Sequence, residues 1–229
     1  MTDPARGSAA DRPATGRHPS PRGAAGTAGD ASARRVRIAT PDDAPGIHAI
    51  YAPNVTGSVI SFEYDPPGED VMRQRVAAIL PRWPWLVCER DGALLGYVYA
   101  SSHRERAAYQ WSVEVTAYIA AEARRSGVAR ALYDALFAML VAQGFVHAYA
   151  GITLPNAPSV GLHESLGFRR LGTYERIGFK CGAWHDVGWW ALLLREPPQE
   201  PAAPAPFATW RDTPGCAAAL ARAQALLRD

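Results

Sequence analysis

The sequence predicts a mixed α/β (α+β) fold, one sheet covered by helices, and three observations carry that reading. Between residues 36 and 195, strand-like runs exchange with apolar runs at helical spacing. An Asp-Gly dipeptide joins two of the strand-like runs in the manner of a hairpin. Both flanks are poor in residues that could be buried: residues 1–35 are largely Pro, Gly, Ala and Ser, and "REPPQEPAAPAPF" opposes helix and sheet alike. The chain is therefore expected to comprise a disordered tail (1–35), a folded domain (36–195), and a Pro-rich linker with a short C-terminal helix (196–229).

Taken in order, Val36 to Ala39 reads as a short strand. In "TPDDAPGIHAIY", Thr40 and Asp43 have capping-box spacing and Pro41 falls at a first helical position. Val71, Val76, Ile79 and Leu80 suggest a second helix, stopped by Pro81. "WLVCERDGALLGYVYA" is the hairpin, turning at Asp91-Gly92. In "YQWSVEVTAYI", Trp111, Val113, Val115, Ala117 and Ile119 point one way and Ser112, Glu114, Thr116 and Tyr118 the other. Val128, Leu132, Leu136 and Leu140 then mark a helix ended by Gly144, and "FVHAYAGI" a strand. Asn156 caps a short helix with Leu162 and Leu166 inward and Gly167 at its end, and "VGWWALLL" is a last strand. Thr213 and Pro214 open the C-terminal helix.

Composition removes several functions. A net charge of +2 without a basic block gives no footprint for nucleic acid. No apolar run reaches the roughly 20 residues of a membrane span. The odd count of 3 cysteines contains no Cys-x-x-Cys pair, which fits a reducing cytosol and leaves metal: none as the expectation. A nucleophile elbow, a Walker loop and a dinucleotide fingerprint are all missing. His185 and Asp186 are adjacent on a strand and point to opposite faces, which makes them a structural pair rather than ligands.

The stretch "EARRSGVARALYDALF" hands a strand over to a helix. A helix start offers unpaired N–H groups to phosphate oxygens, Gly127 admits close backbone approach, and Arg124, Arg125 and Arg130 add charge. Alone, it is either an anion seat or a bare turn. However, "RRSGVA" together with "NAPSVGLHESLGF" resembles the two signatures of the GNAT superfamily of N-acetyltransferases, over residues 36 to about 195. "RWPWLVCERDG", "HRERAAYQWSVEVTAYI", "LPNAPSVGLHESLGF" and "AWHDVGWW" further resemble its phosphinothricin and methionine sulfoximine N-acetyltransferase branch.

That resemblance implies a GNAT-type, mostly antiparallel mixed sheet and acetyl-CoA as cosubstrate. It implies a diphosphate on Arg125, Ser126, Gly127, Val128, Ala129 and Arg130, and a pantetheine arm along the backbone of Ala117, Tyr118 and Ile119. Asn156 and Ser165 complete the donor site. Ala129 stands where many relatives carry glycine, a slight crowding. Glu114 is the expected general base, with a polar-network role as its alternative. His163 is expected either to relay a proton or to be a bonded structural histidine. Arg104 and Arg106, two apart on an extended segment, are expected to grip the acceptor's anionic group, with free surface charges as the alternative, and Glu105 between them is on the acceptor list. Phe62, Tyr109, Val115 and Thr116 join the acceptor list, core packing being the alternative for the two aromatics. The expected reaction is acetylation of the α-amine of a small anionic amino-acid analog by a cytosolic homodimer. Another amine acceptor, or an acyl-CoA-binding module without turnover, is the rival.

Overall fold

The computed structural model describes residues 33–227. Its elements follow as β1 (Arg35–Ile38), α1 (Ala44–Thr56), α2 (Glu69–Ile79), β2 (Trp85–Arg90), β3 (Ala93–Ser102), β4 (Ser112–Ile119) and α3 (Val128–Gln143). After these come β5 (His147–Leu154), α4 (Ala157–Ser165), β6 (Arg169–Lys180), β7 (Ala183–Leu193) and α5 (Pro214–Leu226). Among the described residues seven strands form one sheet in the order β1-β2-β3-β4-β5-β7-β6. Every neighbouring pair is antiparallel except β4 with β5.

Local chemistry accounts for the boundaries. The Thr40 N–H donates to Asp43 Oδ2 at 2.7 Å, and a single 3-10 turn at Pro41–Asp43 precedes α1. Asp91 and Gly92 take φ of 52° and 78°, the left-handed pair that a two-residue hairpin between twisted strands demands. Gly144 ends α3 at φ 104°, its N–H reaching the carbonyls of Leu140 and Val141.

Two expectations are corrected. Val71 is exposed and Met72 takes the inward position, while Val76, Ile79 and Leu80 face the core as expected. Strand β6 was not anticipated: it is the sheet edge, is exposed along most of its length, and has two register shifts against β7, so its sequence does not alternate.

One sheet face carries Trp85, Tyr97, Tyr99 and Tyr118 beneath α1. Trp85 stacks on Tyr99 at 4.2 Å, and Tyr51 meets Tyr118 edge-on at 5.0 Å. Val98, Ala100, Val113 and Val115 are buried on the other face, toward α3.

The expected tail, residues 1–35, lies outside the described residues except for 33–35. At the other end, residues beyond 200 are built into the fold. Ala205 N–H donates to the Gln143 carbonyl at 2.8 Å and Phe207 N–H to the Arg82 carbonyl at 3.2 Å, with the Phe207 ring fully buried. Thr213 caps α5 by accepting from Cys216 N–H at 3.3 Å, and α5 packs on α3 and β1. Phe207→Ala is expected to lower unfolding stability by about 3–5 kcal/mol, the range for a deleted core aromatic. An unchanged urea midpoint would mean that this segment contributes nothing to the fold.

Candidate functional site

The site begins where β4 and β5 part. Their parallel register runs only through Ser112↔His147, Val113↔Ala148 and Glu114↔Tyr149. Beyond it β4 keeps its pairing with β3 as far as Ile119, and β5 keeps its pairing with β7 as far as Leu154. The wedge between them leaves the backbone edge of Val115–Ile119 without a strand partner. Ala117, Tyr118 and Ile119 all lie on this edge.

The edge leads into the 124–130 turn. Gly127 caps α3 with φ 85°, and the first bond into the helix is Ala131 N–H to the Gly127 carbonyl at 3.0 Å. The amides of Val128, Ala129 and Arg130 therefore have no partner among the described residues. A Cβ built on Gly127 would meet nothing within 4 Å, so approach to these amides is open. With Arg124, Arg125 and Arg130 beside them, they form an anion seat of the right kind for a diphosphate. A cleft of about 800 Å³, lined by Ile50, Asn54, Ile119, Glu122 and Arg124 among others, lies between α1 and this end of β4.

At the apex of the wedge sits Glu114. Its Oε1 is 3.0 Å from His103 Nδ1 and accepts from Arg104 Nη1 at 3.3 Å, while Oε2 has no hydrogen bond among the described residues. His103 stacks on Tyr149 at 4.3 Å and stands edge-on to Trp189 at 5.9 Å, and the Arg104 guanidinium lies 5.8 Å from the Trp189 ring. Thr116 shares this face, opposite Tyr99. Burial pushes the phenols of Tyr97, Tyr99 and Tyr118 up, which makes them weaker acids.

Several expected residues come together and others do not. Arg104 and Arg106 line one polar pocket of about 240 Å³ with Arg82 and Glu105, but of the two arginines only Arg104 reaches Glu114; the side chains of Glu105 and Arg106 make no hydrogen bond among the described residues. Tyr109 is exposed, 6.4 Å from the His103 ring. Val115 is a correction: its side chain is buried on the opposite face, so only its backbone borders the wedge. Phe62 lies against Gly178, where a Cβ would come within 2.2 Å of its ring. Asn156 spends its side chain capping α4, accepting from Ser159 N–H at 3.2 Å. Ser165 Oγ meets Arg130 Nη2 at 3.1 Å, which joins the end of α4 to the start of α3. His185 and Asp186 bond hairpin backbone, at the Lys180 carbonyl (2.9 Å) and the Arg176 N–H (2.7 Å).

His163 is 5% exposed and bonded at both ring nitrogens, 2.8 Å from the Ser159 carbonyl and 3.0 Å from Tyr133 Oη. The carbonyl fixes the proton on Nδ1, so Nε2 accepts from Tyr133. In this arrangement His163 ties α4 to α3 and has no free nitrogen for a relay.

Four residues of the site and its support are not signalled by the sequence pattern. His103 lies in "HRERAAY" beside the arginines, and strand register, which sets Ser101 opposite Glu114, is what brings it to the carboxylate. Tyr149 and Trp189 carried no signal beyond strand propensity. Lys180, the sole lysine, is buried and donates to the carbonyls of Val55 and Ser61 at 2.6 Å each, pinning the loop that carries Phe62.

Residues 36–189 match the family model described as the acetyltransferase (GNAT) domain. The phosphinothricin N-acetyltransferase of Alcaligenes faecalis is 40% identical over 190 residues, covering 81% of this chain and 94% of that protein. Its counterpart in Streptomyces viridochromogenes is 37% identical over 170 residues, 74% of this chain and 93% of that one. The acetyl-CoA complex of a GNAT superfamily phosphinothricin acetyltransferase from Sinorhizobium meliloti superposes with a TM-score of 0.68 at 33% identity, covering 73% of this chain and 95% of that chain. The chain belongs to the GNAT acetyltransferase family and is an acetyl-CoA-dependent N-acetyltransferase.

Burial is the larger influence on His163 and holds its pKa below the ordinary 6.5, against the opposing Ser159 carbonyl. The unfolded chain takes up this proton near 6.5 and the folded chain only at lower pH, so the contribution is complete above 6.5 and is lost as pH falls toward the folded value. The melting temperature is expected to drop as pH is lowered through this window, and His163→Gln to flatten that dependence. An equal slope in the variant would remove His163 as its source.

Proposed function

We propose that the chain acetylates the α-amine of a small anionic amino-acid analog, of the phosphinothricin or methionine sulfoximine/sulfone type, with Glu114 as general base. The observation that carries this reading is the placement of Glu114 at the apex of the β4–β5 wedge, with Oε2 open and Arg104 beside it. Acetyl-CoA, when bound, supplies an activated acyl group. The edge of Ala117, Tyr118 and Ile119 holds its pantetheine arm, and residues 125–130, with Ser165 tied to Arg130, hold its diphosphate. Asn156 orders the α4 end of the donor site. Backbone N–H groups near residues 116 to 118 polarise the carbonyl that is attacked. An amino-acid amine is mostly protonated at neutral pH, and Glu114 takes that proton directly or through water. His103 orients the carboxylate by its Nδ1 contact and its stack on Tyr149. Arg104 and Arg106 attract the acceptor's anionic group and disfavour cationic acceptors, while Phe62, Tyr109 and Thr116 border it. Residues 36–195 form the catalytic domain. Acetylation removes the amine's charge, a detoxifying step for an amino-acid mimic in the cytosol.

Thiol release from acetyl-CoA, measured across phosphinothricin, methionine sulfoximine, polyamines and aminoglycosides, tests the reading. Turnover is expected with the anionic analogs; tight CoA binding without turnover on any of them would sink it. Glu114→Gln is expected to lower kcat by roughly 10²–10⁴-fold at unchanged acetyl-CoA affinity. Unaltered turnover would remove Glu114 from the mechanism.

The chain is proposed to act as a homodimer. Leu171, Tyr174, Ile177, Phe179 and Trp184 are exposed together on the β6–β7 hairpin, and β6 is a sheet edge with unpaired backbone, a self-complementary surface for a second copy. Sedimentation equilibrium is expected to give a dimer, and Ile177→Lys a monomer. A monomeric parent chain would overturn this.

A further inference from the structure

The turn before α3 holds two residues in left-handed backbone, Arg125 at φ 60° and Gly127 at φ 85°. The first is unfavourable for a residue with a Cβ, so its neighbours must hold it in place. Ser126, between them, is held from both sides. Its Oγ donates to the Ala123 carbonyl at 2.6 Å, and its own carbonyl accepts from Arg34 Nη1 at 2.8 Å.

Arg34 is in turn fixed by Gln224 of α5. The Gln224 Oε1 accepts from Val36 N–H at 2.9 Å, and its Nε2 donates to the Arg34 carbonyl. One side-chain amide thus meets alternate residues at the outer edge of β1 as the N–H and C=O of a single residue on a neighbouring parallel strand would. Gln224 is placed by the seating of α5, which buries Cys216, Ala219 and Ala223 and pairs Arg222 with Asp134 of α3 at 2.7 Å. From the C-terminal helix to the Ser126 carbonyl the path runs through two side chains. Both Arg34 and Gln224 lie outside residues 36–189, the span the family model matches, so this support comes from the chain's own flanks.

We infer that Arg34 and Gln224 are positioning residues for acetyl-CoA. By fixing the Ser126 carbonyl they fix the plane of the next peptide and, through it, the aim of the amides from Gly127 to Arg130. Arg34 also places a guanidinium charge behind the turn, where it favours an anion bound in front. The inference rests on the reading of this turn as the seat of the diphosphate. It assigns the C-terminal helix a function in donor binding besides its part in the core.

The test uses the full chain with Arg34→Met, Gln224→Ala and the double variant. CoA dissociation constants from calorimetry and KM for acetyl-CoA are expected to rise roughly 3- to 30-fold in each single variant. Turnover at saturating acetyl-CoA and KM for the acceptor are expected to stay within about twofold. Because the two residues act through one path, the double variant is expected to be less affected than the product of the singles. Val76→Ala, a core change under α2, supplies the comparison for lost stability alone and is expected to leave KM for acetyl-CoA in place. Should Gln224→Ala fail to fold, Gln224→Glu keeps an acceptor for Val36 N–H, removes the donor to the Arg34 carbonyl and sets a negative charge against that carbonyl. Unchanged CoA affinity in folded Arg34 and Gln224 variants overturns the inference. Gly127→Val and Arg130→Ala separate the two readings. If they weaken CoA binding while the Arg34 and Gln224 variants do not, only the positioning path fails. If all four leave it unchanged, the turn is not the diphosphate seat.

Discussion

The parting of β4 from β5 just after Glu114↔Tyr149 is the constraint on which the rest of this molecule depends. Each strand has another partner that holds it for its full length, β3 for one and β7 for the other, so neither can follow the other without breaking an antiparallel ladder. The result is a wedge whose inner edge on β4 carries peptide groups with no strand to meet. Unpaired backbone donors and acceptors lose free energy wherever water is excluded. A ligand arm that itself carries amide groups can complete such an edge as an added strand would. The proposed donor site is in this sense a missing strand, and the helix start at Val128 lies where the chain continues beyond it.

Keeping the wedge open is a packing task. On one face Trp85, Tyr97, Tyr99 and Tyr118 make a rigid aromatic layer under α1, and on the other α3 covers Val113 and Val115. Gly96 permits β3 and β4 to run close, since a Cβ there would fall 2.5 Å from Ile119 Cδ1. A substitution at Gly96 would push against the same strand end that borders the donor cleft. Lys180 does corresponding work on the acceptor side. Its Nζ donates to the carbonyls of Val55, in the last turn of α1, and Ser61, next to Phe62, and its own carbonyl is bonded by His185.

Much of the scaffold was legible because it is written locally. The stripe Val128, Leu132, Leu136 and Leu140 is fully inward, the Asp91-Gly92 turn has the backbone its residue types demand, and Thr213 and Asn156 cap the helices that follow them. What escaped was set by tertiary position. Strand β6 has one free edge and little buried side-chain surface, so nothing in its sequence had to alternate. The Pro-rich stretch after 195 reads as a linker by composition, yet Phe207 is in the core because Arg82 and Gln143 offer carbonyls where the chain passes. Met72 rather than Val71 is inward because it stands four residues before Val76, one helical turn, whereas Val71 stands five before it and falls off the stripe.

The donor and acceptor sides differ in legibility for the same reason. The donor side is backbone, carried by two contiguous motifs, and spacing alone can report it. The proposed acceptor side is made of side chains from separate elements: Glu114 on β4, His103 and Arg104 after β3, Tyr149 on β5 and Trp189 on β7. Two arginines two apart suggested a pair projecting together, but the bends after Ser102 carry Arg104 back over its own strand end toward Glu114. Nη1 of Arg104 serves both the His103 carbonyl and Glu114 Oε1, which leaves Nε and Nη2 uncommitted among the described residues. A guanidinium presents five N–H groups in a fixed plane, so it can hold an acceptor's carboxylate on one edge while the other stays on Glu114. In the proposed reaction that geometry sets an anionic acceptor beside Glu114, the proposed base, with His103 Nδ1 sharing the load on Oε1 and leaving Oε2 clear.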